Sequence, residues 1–525
     1  MSLGCDRSSL WSECTPCSQR KRHRSKNSNK PAVSMYTLVL GVSLCALLFY
    51  WSWRATFTGD LARIPGPLIA RFSNIWKIRA VYHATMHQKN VQLHEKYGSV
   101  VRIGPNDVSF ASPEALKAIY TARPSFPKGY SYKPTSPLHD GKRLFNLFSV
   151  QDVHYHAKLK RAIGSLYTKS VVLELEPRID DTIKLFMKCL AKRTANGPTE
   201  LDIYLWLHLF AFDSLGDLNL SERFGFLEKG QDVRGMIETA NRILHITGLF
   251  GQSPMLQKIQ MRIKARWTKT KPNPLLLYTI AKVHDRIAKP TKSPDMLNIF
   301  LNLRAMDPDR ITLEEIADGG KTDLGQNGGH DVLAVALRTV FYYLARHPSV
   351  LERLREEFAP LEKVYSHDVP IPYQELSELT YLDAVIYEAM RVHANIGLIL
   401  ERVVPEGGSE IDGFYIPSGT IVGVNAWVIH HDKTVFGEDA EVFRPERWTE
   451  AHQSKRLEMK RFMFSFGDGS RKCIGQNIAM AQAAKVLVEF LRRFRAHLVH
   501  PEREWNVHGS WVTKQTAMDM WIARL

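Results

Sequence analysis

The longest apolar stretch of the chain lies near its amino terminus, where no residue between Pro31 and Trp53 is charged. As a helix, such a stretch is long enough to cross about 30 Å of hydrocarbon. Tyr50, Trp51 and Trp53 close it with rings that favour the headgroup level. A cleaved signal peptide is the rival reading, but Trp51-Ser-Trp-Arg-Ala-Thr56 offers no small-residue cleavage site. Ile64-Pro-Gly-Pro67 follows, and its prolines stop a helix and stiffen the chain. Further on, two β-branched runs flank Gly104-Pro105-Asn106 and predict a hairpin within Tyr97 to Phe110. Leu379, Leu382, Ile386 and Ala389 recur at helical spacing, as do Ile478, Ala481, Ala484, Val488 and Leu491 after Ile474, so two helices are expected, each burying one face. β-prone pieces return over Glu410 to Val424 and Trp511 to Ile522. The pattern is mainly α with minor β sheets, preceded by a single N-terminal transmembrane helix.

No repeat and no flexible linker divides the body, which reads as one domain. The expected organisation is a basic leader over 1–30, an anchor over 31–54, a Pro-rich hinge over 55–68 and a catalytic domain over 69–525. Charge complicates the orientation, because Arg20, Lys21, Arg22, Arg24, Lys26 and Lys30 precede the span whereas Arg54 and Arg63 follow it. The positive-inside rule would hold that leader in the cytosol. Initiation at Met35 would delete it and leave the body on the cytosolic side. A net charge of +16 favours anionic partners without choosing among nucleic acid, lipid and protein. Six cysteines in 525 residues are too sparse for a disulfide framework, and Cys14-x-x-Cys17 has no second pair at zinc spacing.

The most informative phrase is Phe464-Ser-Phe466-Gly-Asp-Gly469-Ser-Arg471-Lys-Cys473-Ile-Gly475, which leads into the second predicted helix. A cysteine beside a helix N-terminus is favoured as thiolate and can ligate a metal. The glycines permit tight turns and close approach to a flat cofactor, and Arg471 could pair with a carboxylate on that cofactor. The alternative is a buried cysteine in a glycine-rich turn. The phrase resembles the FxxGxRxCxG signature of the cytochrome P-450 superfamily at every fixed position, and the likeness extends over 64–525. The resemblance implies that fold and a haem b cofactor (iron protoporphyrin IX), with Cys473 as its proximal thiolate. Thiolate ligation favours O–O cleavage. It further implies that Phe466 packs beside the cysteine, Arg471 meets a propionate, and Gly469 and Gly475 shape the loop.

Glu388-Ala-Met-Arg391 sets opposite charges three residues apart on one helical face. It resembles the ExxR motif of the family, and Phe443-Arg-Pro-Glu-Arg447-Trp448 resembles its partner, so Glu388, Arg391 and Arg447 are expected to form a buried triad behind the cysteine loop. His156 and Lys160 stack on one helical face and resemble the first propionate-contacting helix, although a solvated basic face would have the same spacing. Arg402 resembles a further propionate contact. Lys455, Arg456, Lys460, Arg461 and Lys472 surround the approach to Cys473, as a docking face for an acidic reductase or simply as solvated charge. The pattern breaks at Gly328-Gly-His330-Asp331-Val332, where the family carries (A/G)Gx(D/E)T. Val332 lacks the hydroxyl, which leaves Asp331 as the distal acid and His330 as a substitute proton shuttle. The preceding 318–329 holds five glycines, poor helix formers, where the family has one long helix.

The resemblance implies a monooxygenase acting on a hydrophobic small molecule, fed by an NADPH-dependent diflavin reductase, with no nucleic-acid partner. Localisation is expected at the endoplasmic reticulum membrane, single-pass, with the catalytic domain facing the cytosol. Val101-Arg-Ile-Gly-Pro-Asn106 and Arg123-Pro-Ser-Phe-Pro127 resemble fungal members of the pisatin demethylase and trichothecene oxygenase types. A terpenoid, polyketide or alkaloid substrate would follow. Two alternatives stand: a haem-thiolate isomerase or dehydratase that needs no reductase, and a catalytically silent haem-binding membrane protein.

Overall fold

The computed structural model describes residues 59–136, 145–267, 274–312 and 328–525, with short pieces at 37–44, 46–47, 50, 138–139, 142–143 and 315–316. The leader 1–30 with Cys14 and Cys17, most of the hinge's first residues and the glycine-rich 317–327 lie outside the described residues. Within the expected anchor the described residues are all helical. Among the described residues no helix is long and apolar enough to cross a membrane. The chain divides into two units, Met1–Ala55 and Thr56–Leu525.

In the larger unit, helices dominate. Six of them frame the site: α1 (Val153–Ile163), α2 (Lys169–Arg193), α3 (Ile203–Leu220), α4 (Gly328–Arg346), α5 (Thr380–Val392) and α6 (Gln476–Leu491). Helix α3 is apolar almost all round, with Trp206, Leu207, Leu209, Phe210 and Phe212 buried, as befits a helix packed between α2 and α4. The predicted hairpin is present as β1 (Val100–Gly104) and β2 (Asp107–Phe110). β3 (Arg402–Val403) and β4 (Ile421–Val424) complete a sheet in which β2 pairs parallel with β4, and β4 pairs antiparallel with β3. A second sheet joins Thr199–Asp202 to Asp519–Arg524 and Phe494–Leu498.

Two expectations change. From Ala481 to Leu491 every residue of α6 is buried, not one face alone. Its polar positions are neutralised internally: Lys485 contacts Glu176 and lies 2.7 Å from Asp180 on α2, and Glu489 pairs with Arg492 at 2.8 Å. A buried charge survives only when paired in this way. The Pro-rich segment, expected as a hinge, is docked on the body where it is described. Ile64 is fully buried, the Arg102 N–H donates to the Pro65 carbonyl at 2.7 Å, and a Cβ on Gly66 would lie 2.3 Å from the Arg102 oxygen.

Candidate active site

The loop from Phe464 to Gly475 is held by its own backbone. The Cys473 N–H donates to the Phe466 carbonyl at 2.8 Å and the Gly467 N–H to the Phe464 carbonyl at 2.9 Å. Gly469 has φ +67°, and a Cβ there would come within 1.8 Å of the Tyr120 carbonyl oxygen. Glycine is therefore required twice over, by the left-handed backbone and by the close approach. Gly475 caps α6 with φ −81°, and its missing Cβ would meet nothing within 4 Å. The polypeptide does not demand glycine at that point. Cys473 is exposed two residues before this cap, and Phe466 packs against the main core.

Behind the loop, Glu388 and Arg391 form a fully buried bidentate pair at 2.9 and 2.8 Å. Arg447 Nε reaches the same carboxylate at 3.3 Å, Trp448 Nε1 donates to it at 2.9 Å, and the Arg444 N–H does so at 2.9 Å. A histidine ties this cluster to the loop. His430 Nδ1 lies 3.2 Å from the Arg391 carbonyl, and its Nε2 accepts the Phe464 N–H at 2.8 Å. A carbonyl only accepts and an N–H only donates, so His430 carries its proton on Nδ1. Burial, with His431 and Arg391 nearby, lowers its pKa to about 3.

In front of the loop, cations converge. Lys160 on α1 donates to the Ser470 carbonyl at 2.7 Å, and Arg471 donates to the carbonyls of Val150 and Gln151 at 2.8 and 3.2 Å. Arg471 Nε is buried without a partner. Arg402 is buried with its guanidinium 4.7 Å from the Tyr120 ring. Lys128, which no motif announced, is buried with its ammonium 4.8 Å from the Tyr132 ring. His156 sits among all four: burial first, then Arg471, Lys128, Lys160 and Arg402, pushes its pKa down to about 2. Burial and Arg402 together lower Arg471 to about 10. Lys128 and Arg402 are buried and Lys160 and Arg471 partly so, and such a convergence of cations favours an anionic ligand. The spacing of His156, Lys160, Arg402 and Arg471 around an exposed cysteine fits a flat cofactor bearing two carboxylates and an iron that takes a thiolate.

The distal segment divides between two faces of α4. Val332 joins an apolar cluster with Tyr132, Val335, Leu398, Trp511 and Val512. His330 faces α3 instead, fully buried, its ring 3.8 Å from that of Phe212 and stacked 5.5 Å from that of His208. Neither of its nitrogens has a hydrogen-bond partner, and burial lowers its pKa to about 3. This geometry withdraws the shuttle role expected of His330, because the ring neither titrates near neutrality nor shares a face with Val332. Asp331 is buried, with Oδ1 2.7 Å from Lys514 Nζ. His208 Nε2 lies 2.8 Å from the same oxygen, out of hydrogen-bonding alignment. Burial opposes the Asp331 charge, but His330, His208 and Lys514 outweigh it and hold the carboxyl well below its usual range. Lys514 also lines a cavity of about 340 Å³ with Tyr82, His83, Asn241, His245 and His508.

The basic residues ahead of the loop are partly engaged, Lys460 with Asp383 at 3.0 Å and Lys455 with Glu458 at 2.9 Å, while Arg461 and Lys472 are exposed. Sequence reasoning had missed Lys128, His208, His430 and Lys514. Each is a lone residue at no recognisable spacing, and only the fold brings it to the site.

Comparison with known proteins places these features in context. The family model described as cytochrome P-450 matches residues 64–519. A cytochrome P-450 monooxygenase of Sarocladium schorii is 34% identical over 482 residues, covering 88% of this chain and 92% of that protein. A second, from Emericella nidulans, is 35% identical with 88% and 92% covered. Pisatin demethylase of Fusarium vanettenii is 32% identical over 483 residues, with 91% of each chain covered.

Proposed function

The chain belongs to the cytochrome P-450 family of monooxygenases, and from that premise we propose that it oxidises a hydrophobic small molecule in fungal secondary metabolism, with Cys473 as the iron ligand. Enzymes of this family bind haem b through a cysteine thiolate, need a redox partner and act on small molecules. Haem bound to thiolate supplies the activation of dioxygen, from which one atom goes to substrate and one to water.

The observation that carries the reading is the ring of Lys128, Lys160, Arg402 and Arg471 about His156, set directly before the Cys473 loop. In this proposal Arg402, Arg471 and Lys128 neutralise the two propionates, and His156, held neutral, donates a hydrogen bond to one of them. Lys160, next to both Ser470 and Cys473, holds the loop and favours the thiolate. Gly475 leaves room for the cofactor's plane. Glu388, Arg391 and Arg447 hold the loop from behind through His430. Asp331 serves as the distal acid, and the apolar cluster about Val332, Leu398 and Trp511 excludes water and receives the substrate.

A diflavin reductase is the electron donor in this reading, docking on the basic face at Arg456, Arg461 and Lys472. Membrane attachment at the endoplasmic reticulum, body in the cytosol, is supported by exposed apolar side chains on the helical pieces at Leu38, Val39, Leu40, Val42 and Leu44. The larger unit adds its own apolar patch. Leu68, Ile69, Phe72 and Ile75 are exposed, and Asn74 donates to the Gln252 carbonyl at 3.0 Å, next to a helix exposing Met255, Ile259 and Ile263. Such a patch suits a lipid surface.

The test is carbon monoxide difference spectroscopy on the reduced holoprotein. The parent should give the strongly red-shifted band of thiolate ligation and Cys473→His should not. A parent with an ordinary haem band would overturn the assignment. The absent hydroxyl at Val332 favours one second reading, a reductase-independent isomerase or dehydratase. Substrate turnover that continues without NADPH and reductase would establish it.

A further inference from the structure

Asp331 is an acid without an obvious route to solvent. It is buried, the residue that follows it is Val332 in place of a hydroxyl, and His330 beside it points into α3 with no hydrogen-bond partner. A monooxygenase that converts C–H and O2 into C–OH and water takes up two protons along with the two electrons its reductase supplies. Each proton must reach the distal side through the protein.

One polar path leaves Asp331. Its Oδ1 accepts from Lys514 Nζ at 2.7 Å, and Lys514 comes from the strand Thr513–Thr516, 183 residues away along the chain. The same ammonium contacts Asn241 Oδ1 and lines the cavity shared with His83, His245 and His508. Lys514 is only 14% exposed at its side chain, so it stands between solvent and the buried carboxylate. Among the described residues the other charged or titratable groups facing this pair, His208, His330 and Arg338, are buried away from solvent. His208 from α3 touches Asp331 out of alignment, and the Arg338 side chain on α4 turns to the Tyr204 carbonyl, to which it donates at 3.1 and 2.7 Å.

We propose that Lys514 is a positioning and relay residue for dioxygen activation, fixing the Asp331 carboxylate and passing it protons drawn from water in the adjoining cavity. In each relay step a proton leaves Lys514 Nζ for Asp331 Oδ1, Asp331 gives a proton to the distal side, and cavity water reprotonates the amine. Charge is restored after each pass. A lysine largely shielded from water suits this task, because burial lowers its pKa and narrows the gap to the ionised Asp331 that it must protonate in passing. The relay takes over the solvent connection that a hydroxyl at position 332 would otherwise share. The inference rests on the monooxygenase reading and on Asp331 as its distal acid.

The experiment uses full-length holoprotein with a diflavin reductase and no organic substrate, so that NADPH oxidation drives O2, two electrons and two protons to hydrogen peroxide. Carbon monoxide spectra first establish that each variant holds haem on thiolate. Lys514→Met should slow NADPH oxidation on the order of tenfold and raise the solvent isotope effect in D2O. Lys514→Ala should slow oxidation likewise, and ethylammonium, small enough for the space that truncation vacates, should restore most of the rate, whereas Lys514→Arg, whose guanidinium keeps its proton, should hold the contact with Asp331 without restoring the rate. The contact is read separately by melting Lys514→Met, Asp331→Asn and the double variant, which should lose less stability than the sum of the singles. Intact spectra with an unchanged rate and isotope effect in Lys514→Met, or a slowed rate in Lys514→Ala that no alkylammonium restores, would overturn the relay and leave the monooxygenase reading standing. Loss of the thiolate band in the parent would overturn that reading instead.

Discussion

Replacing Glu388 by alanine removes one carboxylate and strands every donor aimed at it. Arg391 is the worst affected, since among the described residues this carboxylate is the only anion it contacts and it is fully buried. Breaking such a pair by deleting one partner costs about 3–5 kcal/mol. Trp448 Nε1 and the Arg444 N–H lose their acceptor as well, at about 1–3 kcal/mol each for buried neutral donors. Arg447 is cushioned because Asp439 remains 2.6 Å away. The sum, about 5–11 kcal/mol, rivals the whole stability of an ordinary protein, about 5–15 kcal/mol. Glu388→Ala is therefore expected to yield no folded, haem-loaded protein at 37 °C. Glu388→Gln, which keeps an acceptor but no charge, should fold with a lowered melting temperature. Thermal melting and the carbon monoxide band read both. A Glu388→Ala protein that melts within a few degrees of the parent with a normal band would refute the reasoning. It would mean that the carbonyls of His430, Ala440 and Val442, which already accept from Arg391, suffice to hold that charge.

Two further outcomes follow from the geometry. Gly469→Ala forces a side chain into left-handed backbone, about 1–2 kcal/mol, and against the Tyr120 carbonyl, about 1–3 kcal/mol more for overpacking. Haem retention, read as the ratio of haem to protein absorbance, should fall sharply, whereas Gly475→Ala should be tolerated by the polypeptide and fail only on cofactor loading. Acid should destabilise the fold early. His87, His94 and His208 are lowered by burial to about 4, and His330, His393 and His430 to about 3, all from the ordinary imidazole value of 6.5. Each depressed folded-state value means that the unfolded chain takes protons first, so stability present above pH 6.5 is lost as pH falls toward 4, by up to about 1.4 kcal/mol per unit per histidine. Glu401, raised by burial to about 7, works in the opposite sense, but the histidines outnumber it. Urea unfolding at pH 7.5 and pH 5.5 measures the difference, and equal midpoints would contradict it.

The cysteine loop and the Glu388 cluster were legible in sequence because their demands are local. A left-handed turn admits glycine, and an i, i+3 ion pair fits within one helical turn. The hairpin at Gly104 and the β pieces near residue 415 declared themselves for the same reason. What the sequence hid depends on distant chain segments. Lys128 is one lysine among many until the fold sets it beside Arg402 and Arg471. Nothing in the order of residues joins Lys514 to Asp331. Helix α6 looked one-sided because Lys485 and Glu489 are charged, and only Glu176 and Asp180 on α2 make burial of that face possible. At His330, a plausible local substitution failed because the ring belongs to the interface with α3.

The second sheet carries a consequence for biosynthesis. Its middle strand, Asp519–Arg524, pairs on one side with Thr199–Asp202, made more than three hundred residues earlier. Helices and hairpins can form as the nascent chain emerges, but this sheet has to wait until Asp519–Arg524 has left the ribosome. Until then Thr199–Asp202 stands as an open edge that any other extended chain could capture. A stop codon just ahead of Asp519 would leave both flanking strands without their shared partner, and quality control would meet two open edges in a body whose helices had already formed.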